Sequence, residues 1–172
     1  MPTRYGRDLT KAQYDYEELV NGSYSPSSST PLSSITAIRG IQGVELEKGK
    51  IKVFGSGKVI SESEAKGVVS RLYKDNLKER KAHPESALKL VGTENRKTLR
   101  IVLDRNKATL GDFQEALDIA HSHAQYLSYN NRTSTIHIPA ELKDIVLREM
   151  KDQRIPILKT TVYTEKVRRY KS

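Results

Sequence analysis

Residues 98–163 read TLRIVLDRNKATLGDFQEALDIAHSHAQYLSYNNRTSTIHIPAELKDIVLREMKDQRIPILKTTVY, and their changing apolar spacing decides the fold. Leu99, Ile101, Val102 and Leu103 make a short buried strand. Thr109 then caps a helix whose stripe is Leu110, Phe113, Ala116, Leu117, Ala120, Ala124 and Leu127, and Asn130-Asn131 ends it. Thr135–Ile138 returns to strand. Pro139 suits the first turn of the next helix, which turns Leu142, Ile145, Val146 and Met150 inward. Ile155, Ile157, Leu158, Thr161 and Val162 supply a last strand. Helices of this length between strands favour parallel pairing with right-handed crossovers. The class is therefore α/β, with α+β as the alternative, built on a C-terminal β-α-β-α-β unit.

Upstream, a strand begins at Ile35, Ala37 and Ile38. Val44–Glu47 and Ile51–Phe54 then flank Lys48-Gly49-Lys50 as a β-hairpin. Ser61 or Ser63 caps a helix with Glu62 and Glu64 in its first turn and the stripe Ala65, Val68, Val69, Leu72 and Leu77. Pro84 interrupts, and a short helix over Glu85–Leu90 ends at Gly92. If the hairpin joins the same sheet, the sheet is mixed. Residues 34–163 form one domain on this reading.

The flanks differ from that body. Residues 1–33 scatter Tyr5, Tyr14, Tyr16 and Tyr24 among polar residues, then run into the Ser/Pro-rich segment 23–31, too poor in apolar surface to order itself. A short helix at 10–20 fits, with Thr10 as N-cap. The segment reads as an arm that stays mobile or docks on a protein partner. Residues 164–172 form a basic tail.

Composition narrows the chemistry. Hydrophobic residues make up 36% of the 172, with no Trp and two Phe, so the core is aliphatic. There is no Cys, which excludes disulfides, thiolate nucleophiles and Cys-ligated zinc. No apolar run approaches the roughly 18 residues of a membrane span, so no membrane partner is expected. The first residues lack the apolar core of a secretory signal, and the expected setting is cytoplasmic, or a virion. Thirty Lys and Arg against 21 Asp and Glu give a net charge of +9. Such an excess favours a phosphate-bearing partner, because bound cations release counterions.

Catalytic patterns fail on inspection. Gly55-Ser56-Gly57-Lys58 sits between strand and helix, but a phosphate loop would need Gly at 52 and Ser or Thr at 59, where the chain has Lys52 and Val59. Asp112, Glu115, Asp118, His121 and His123 share one helix without a metal signature. No Ser occupies a Gly-x-Ser-x-Gly elbow. Glu64-Ala65-Lys66 lies at a helix start, not on the strand a nuclease would use. In a parallel sheet the strand ends would gather Asp104, Asn106, Lys107, His137 and Lys159 at one edge. There Arg105 and Lys107, beside a helix N-terminus, suit an anion.

The basic segments carry the stronger signal. Residues 66–107 hold twelve Lys and Arg against five Asp and Glu, and residues 154–172 hold six against one. Tyr73, Tyr163 and Tyr170 lie among them and suit base stacking. The function expected is a non-enzymatic nucleic-acid-binding or nucleoprotein-associated accessory protein, taking DNA or RNA. Its phosphate contacts would be Lys74, Lys78, Lys81, Arg96, Lys97, Arg100, Arg168, Arg169 and Lys171. The alternative is a structural or assembly subunit, viral or otherwise, whose arm docks on a neighbour. No catalytic residue, metal or cofactor is expected.

Overall fold

A computed structural model describes residues 3–4, 7–82 and 89–171. The chain forms two compact units, Met1–Pro26 with Ser34–Ala87 and Ser27–Ser33 with Leu88–Ser172, where the sequence suggests one domain over 34–163. The class is mixed α and β, as expected.

In the first unit, β1 (Thr3–Arg4) and β2 (Arg7–Asp8) pair antiparallel. Helix α1 (Lys11–Val20) follows, then β3 (Ile35–Ile38), β4 (Ile41–Glu47), β5 (Lys50–Val53), β6 (Val59–Ser61) and α2 (Glu62–Ala82). Strands β3 to β6 form a four-stranded antiparallel meander. The expected hairpin is its centre, and Gly49 takes the positive φ of +80° that the turn needs. The hairpin therefore stays out of the C-terminal sheet.

The expected arm is partly incorporated. Thr10 caps α1 with a full capping box, and Leu19 of α1 joins Ile41, Ile51, Val53, Ile60, Ala65 and Val68 in one buried cluster. Burying a Leu side chain contributes about 1.5–3 kcal/mol, and Tyr16 and Val20 of α1 pack partly buried against the same cluster. The contact is sealed where Gly55 (φ +98°) meets the end of α1. A Cβ on Gly55 would lie 1.9 Å from the Val20 carbonyl oxygen. In α2, Ala65 and Val68 are buried, but beyond Leu72 only Asp75 is less than exposed. Leu77 is thus outside the core, contrary to the stripe.

The second unit contains β7 (Lys89–Leu103), α3 (Leu110–His123), β8 (Ser128–Asn130), β9 (Thr135–Pro139), α4 (Lys143–Asp152) and β10 (Ile157–Lys171). Its sheet order is β10-β7-β9-β8, and every neighbouring pair is antiparallel. The parallel expectation fails because of β8. This three-residue strand reverses the chain once more after α3, so β9 returns antiparallel to β7. Strand β10 then runs antiparallel to β7 on its other side. Connection β9-α4-β10 still joins two like-directed strands, but with β7 between them.

One sheet face carries Leu99, Ile101, Leu103, Ile136 and Ile138, all fully buried. Phe113 of α3 meets Tyr129 of β8 edge-to-face at 6.2 Å on the same side, and Val146 and Met150 of α4 are buried. Segment 27–33, read as a disordered linker, is fixed by its backbone: Leu32 N donates to the Ala108 carbonyl, Leu110 N to that of Thr30 and Gly111 N to that of Ser28. Main-chain bonds of this kind, plus the buried Leu32 side chain, do not depend on composition.

Strands β7 and β10 are 15 residues each and pair from Leu103↔Ile157 to Lys89↔Lys171. Strand β9 reaches β7 only over Thr98–Val102, so Lys89–Lys97 with Thr164–Lys171 continues as a two-stranded ribbon. Here the expected tail is strand, as are Lys89 and Leu90 of the expected short helix. The rest of that helix, Glu85–Leu88, lies outside the described residues.

Candidate nucleic-acid interface

The ribbon's register sorts its charges, since alternate residues of a strand point to opposite faces. On one face stand Thr93, Asn95 and Lys97 of β7 with Thr164, Lys166 and Arg168 of β10. All six are exposed, and this face has no acid. Asn95 pairs with Lys166 and Thr93 with Arg168, so the three cations are near neighbours.

The opposite face carries Glu94, Arg96, Thr98 and Arg100 across from Val167, Glu165, Tyr163 and Thr161. Its polar groups are tied to one another. Arg96 donates through Nε and Nη2 to Glu94 Oε1 at 3.1 and 2.9 Å, and its guanidinium lies 4.3 Å from the Tyr126 ring centre. Thr98 Oγ1 donates to Glu165 Oε1 at 3.0 Å, and Tyr163 Oη to Glu165 Oε2 at 3.5 Å. His137 Nδ1 is 2.8 Å from Tyr163 Oη. Burial, with help from Arg100, holds His137 below the usual histidine range against the opposing pull of Glu165. Burial and the Glu165 carboxylate push the Tyr163 phenol up. Arg100 Nε is buried without a hydrogen-bond partner.

The expected contacts therefore divide. Arg96, Lys97, Arg100, Arg168 and Arg169 come together on β7 and β10, where Lys171 closes the register opposite Lys89. Lys74, Lys78 and Lys81 belong to the other unit, as an exposed stripe at i, i+4 and i+7 on α2 with Arg71 one turn before. Tyr73 is exposed on the same helix, Tyr170 is half exposed on the ribbon, and Tyr163 is held by its hydrogen bonds.

At the expected anion site, Arg105 is already engaged within the chain. Its guanidinium donates to the Asn131 carbonyl at 3.0 Å, to Ser134 Oγ at 2.6 Å and to the Leu32 carbonyl, and burial lowers its pKa. It serves the chain's own acceptors, which leaves Lys107 exposed and alone of the pair. The strand-end edge fails with it. In an antiparallel sheet, strand ends alternate between opposite edges, and His137 lies mid-strand opposite Arg100. Asp104 is a turn former: its carboxylate accepts from Asn106 N, and its carbonyl from Lys107 N and Ala108 N.

The other rejected motifs have structural occupations. Gly55 and Gly57, both at positive φ, make the β5–β6 turn, and Lys58 pairs with Glu18 at 3.1 Å. His123 Nε2 meets Glu149 Oε2 at 2.9 Å, joining α3 to α4. Among the described residues no three His, Asp or Glu side chains cluster as metal ligands, and no helix is long and apolar enough to cross a membrane.

Sequence reasoning missed Tyr126 and the His137–Tyr163–Glu165 chain. The β-branched and aromatic run Thr160-Thr161-Val162-Tyr163-Thr164 points to a strand that outlasts Tyr163, and so to these alignments. No family model, curated protein or solved structure matches the chain.

Proposed function

We propose that this protein binds nucleic acid without catalysing a reaction on it, through phosphate contacts made by the β7–β10 ribbon. One observation carries the reading: register gathers exposed Lys97, Lys166 and Arg168 on a ribbon face free of acids. A polyanion meets no like charge there, and Thr93, Asn95 and Thr164 offer neutral hydrogen bonds beside the cations. The α2 stripe of Lys74, Lys78 and Lys81 is a second basic surface. A cytoplasmic setting, or a nucleic-acid-containing particle, goes with this function. The assembly-subunit reading has less support, since Lys11–Val20 of the supposed docking arm folds onto its own unit.

The test is fluorescence anisotropy with labelled DNA and RNA over a salt series. Each lost phosphate contact lowers the slope of log affinity against log salt by roughly 0.7–0.9. The triple variant K97Q/K166Q/R168Q is expected to flatten it by about 2–3. An unchanged slope in that variant removes the ribbon as the contact surface.

A further inference from the structure

The stacked pair Arg96–Tyr126 does more than fill space. It is the shared wall of two adjacent hollows in the second unit. One, of about 590 Å³, is lined by Thr98, Ser128, His137, Glu165 and Tyr170. The other, of about 490 Å³, is lined by Lys97, Pro139, Ala140 and Glu141. Both volumes fall within the roughly 300–1,000 Å³ of small-molecule sites. Glu94 fixes the Arg96 guanidinium over the Tyr126 ring through two hydrogen bonds.

We propose that each hollow takes one unpaired nucleobase, resting against the shared Arg96–Tyr126 wall, and that the ligand is therefore single-stranded nucleic acid. This rests on the phosphate-binding reading above and deepens it. Arg and Tyr planes are the surfaces on which unstacked bases settle, whereas a duplex offers base edges and hides base faces. The larger hollow also has what a base edge needs. Glu165 accepts, the Ser128 hydroxyl does either, and the His137 ring, its Nδ1 engaged with Tyr163, lines the same hollow. Tyr170, half exposed, adds a second ring to that hollow. Lys97 borders one hollow and Lys166 and Arg168 the other, with their side chains on the reverse face of the ribbon by register, so the connecting phosphates would reach them around the ribbon's edge.

The experiment compares the full chain's affinity for four probes at one low salt concentration: a short oligothymidylate, the matching oligouridylate, a DNA duplex of equal length, and an abasic oligodeoxynucleotide of equal charge. Stacking is worth about 1–3 kcal/mol per base, or about 5- to 140-fold in affinity. The oligothymidylate or the oligouridylate is expected to outbind the duplex and the abasic strand by at least that lower factor. Tyr126→Ala is expected to erase the advantage without changing abasic binding, and Tyr126→Phe, which keeps the ring, to retain it. An abasic strand or duplex bound as tightly as the based single strands overturns the proposal and leaves the phosphate reading standing. So does an unaffected Tyr126→Ala. Failure of all four probes to bind overturns both.

Discussion

Replacing Arg105 by Met separates a structural guanidinium from a ligand-binding one. The substitution keeps the aliphatic stem and removes three charge-assisted hydrogen bonds, to the Leu32 and Asn131 carbonyls and to Ser134 Oγ. Bonds to charged groups are worth about 1.5–3 kcal/mol each, which gives a ceiling of about 4.5–9 kcal/mol. Arg105 is only half-buried, and water will reach some of the abandoned acceptors. Ser134, however, is fully buried with φ of +53°, and Leu103 N donates to its carbonyl, so the β8–β9 turn loses its brace in a conformation that costs energy to hold. A loss of about 2–4 kcal/mol results, equivalent to roughly 1–2 M in the urea midpoint. Circular dichroism follows the transition. Hydrogen exchange at the Leu32, Leu110 and Gly111 amides reports whether segment 27–33 has come loose. A variant within about 0.5 kcal/mol of the parent, with those amides still protected, would refute this account. Intact stability with weakened nucleic-acid binding would return Arg105 to the role of an anion ligand.

Two further outcomes are expected. Since burial lowers the His137 pKa, the unfolded chain binds more protons than the folded one below pH 6.5. Stability of the second unit should be full above that value, fall as pH drops through the window down to the lowered folded pKa, and lose that dependence in His137→Gln, as read by urea titrations across the series. Leu19→Ala should cost the first unit about 2–5 kcal/mol in chemical denaturation, because the side chain is buried among Ile41, Ile51 and Val53. A cost below about 0.5 kcal/mol would mean that α1 is a detached arm after all.

What the sequence revealed follows from where apolar residues fall. Helices α3 and α4, the β4–β5 hairpin and the start of α2 have buried faces and legible periods. Strand β8 has none: Ser128, Tyr129 and Asn130 are all exposed, and without it the chain direction at β9 is misread. The outer ribbon is invisible for a related reason. Its alternation sets charged and polar residues against polar ones, as in Thr93-Glu94-Asn95-Arg96-Lys97, and no core dictates that pattern. The candidate site depends on those parts, so the sequence points to Lys97 and Arg168 but not to Lys166 or to the division of charges by face. Arg105 illustrates the opposite error. A basic residue beside a helix start looks the same in sequence whether it faces an anion or three oxygens of its own chain.

The long pairing of β7 with β10 also sets a timetable for the protein's birth. Strand β7 leaves the ribosome about 54 to 82 residues ahead of its partner positions on β10. At roughly 5–20 residues per second, it waits some 3 to 16 s with that edge unsatisfied. Leu90, Val91, Leu99, Ile101 and Leu103 lie along the waiting strand, which makes it a template for other nascent chains. A product terminated before Ile157 never closes that edge. Such fragments should be the insoluble ones, and rescue should require supplying the missing strand rather than adding nucleic acid.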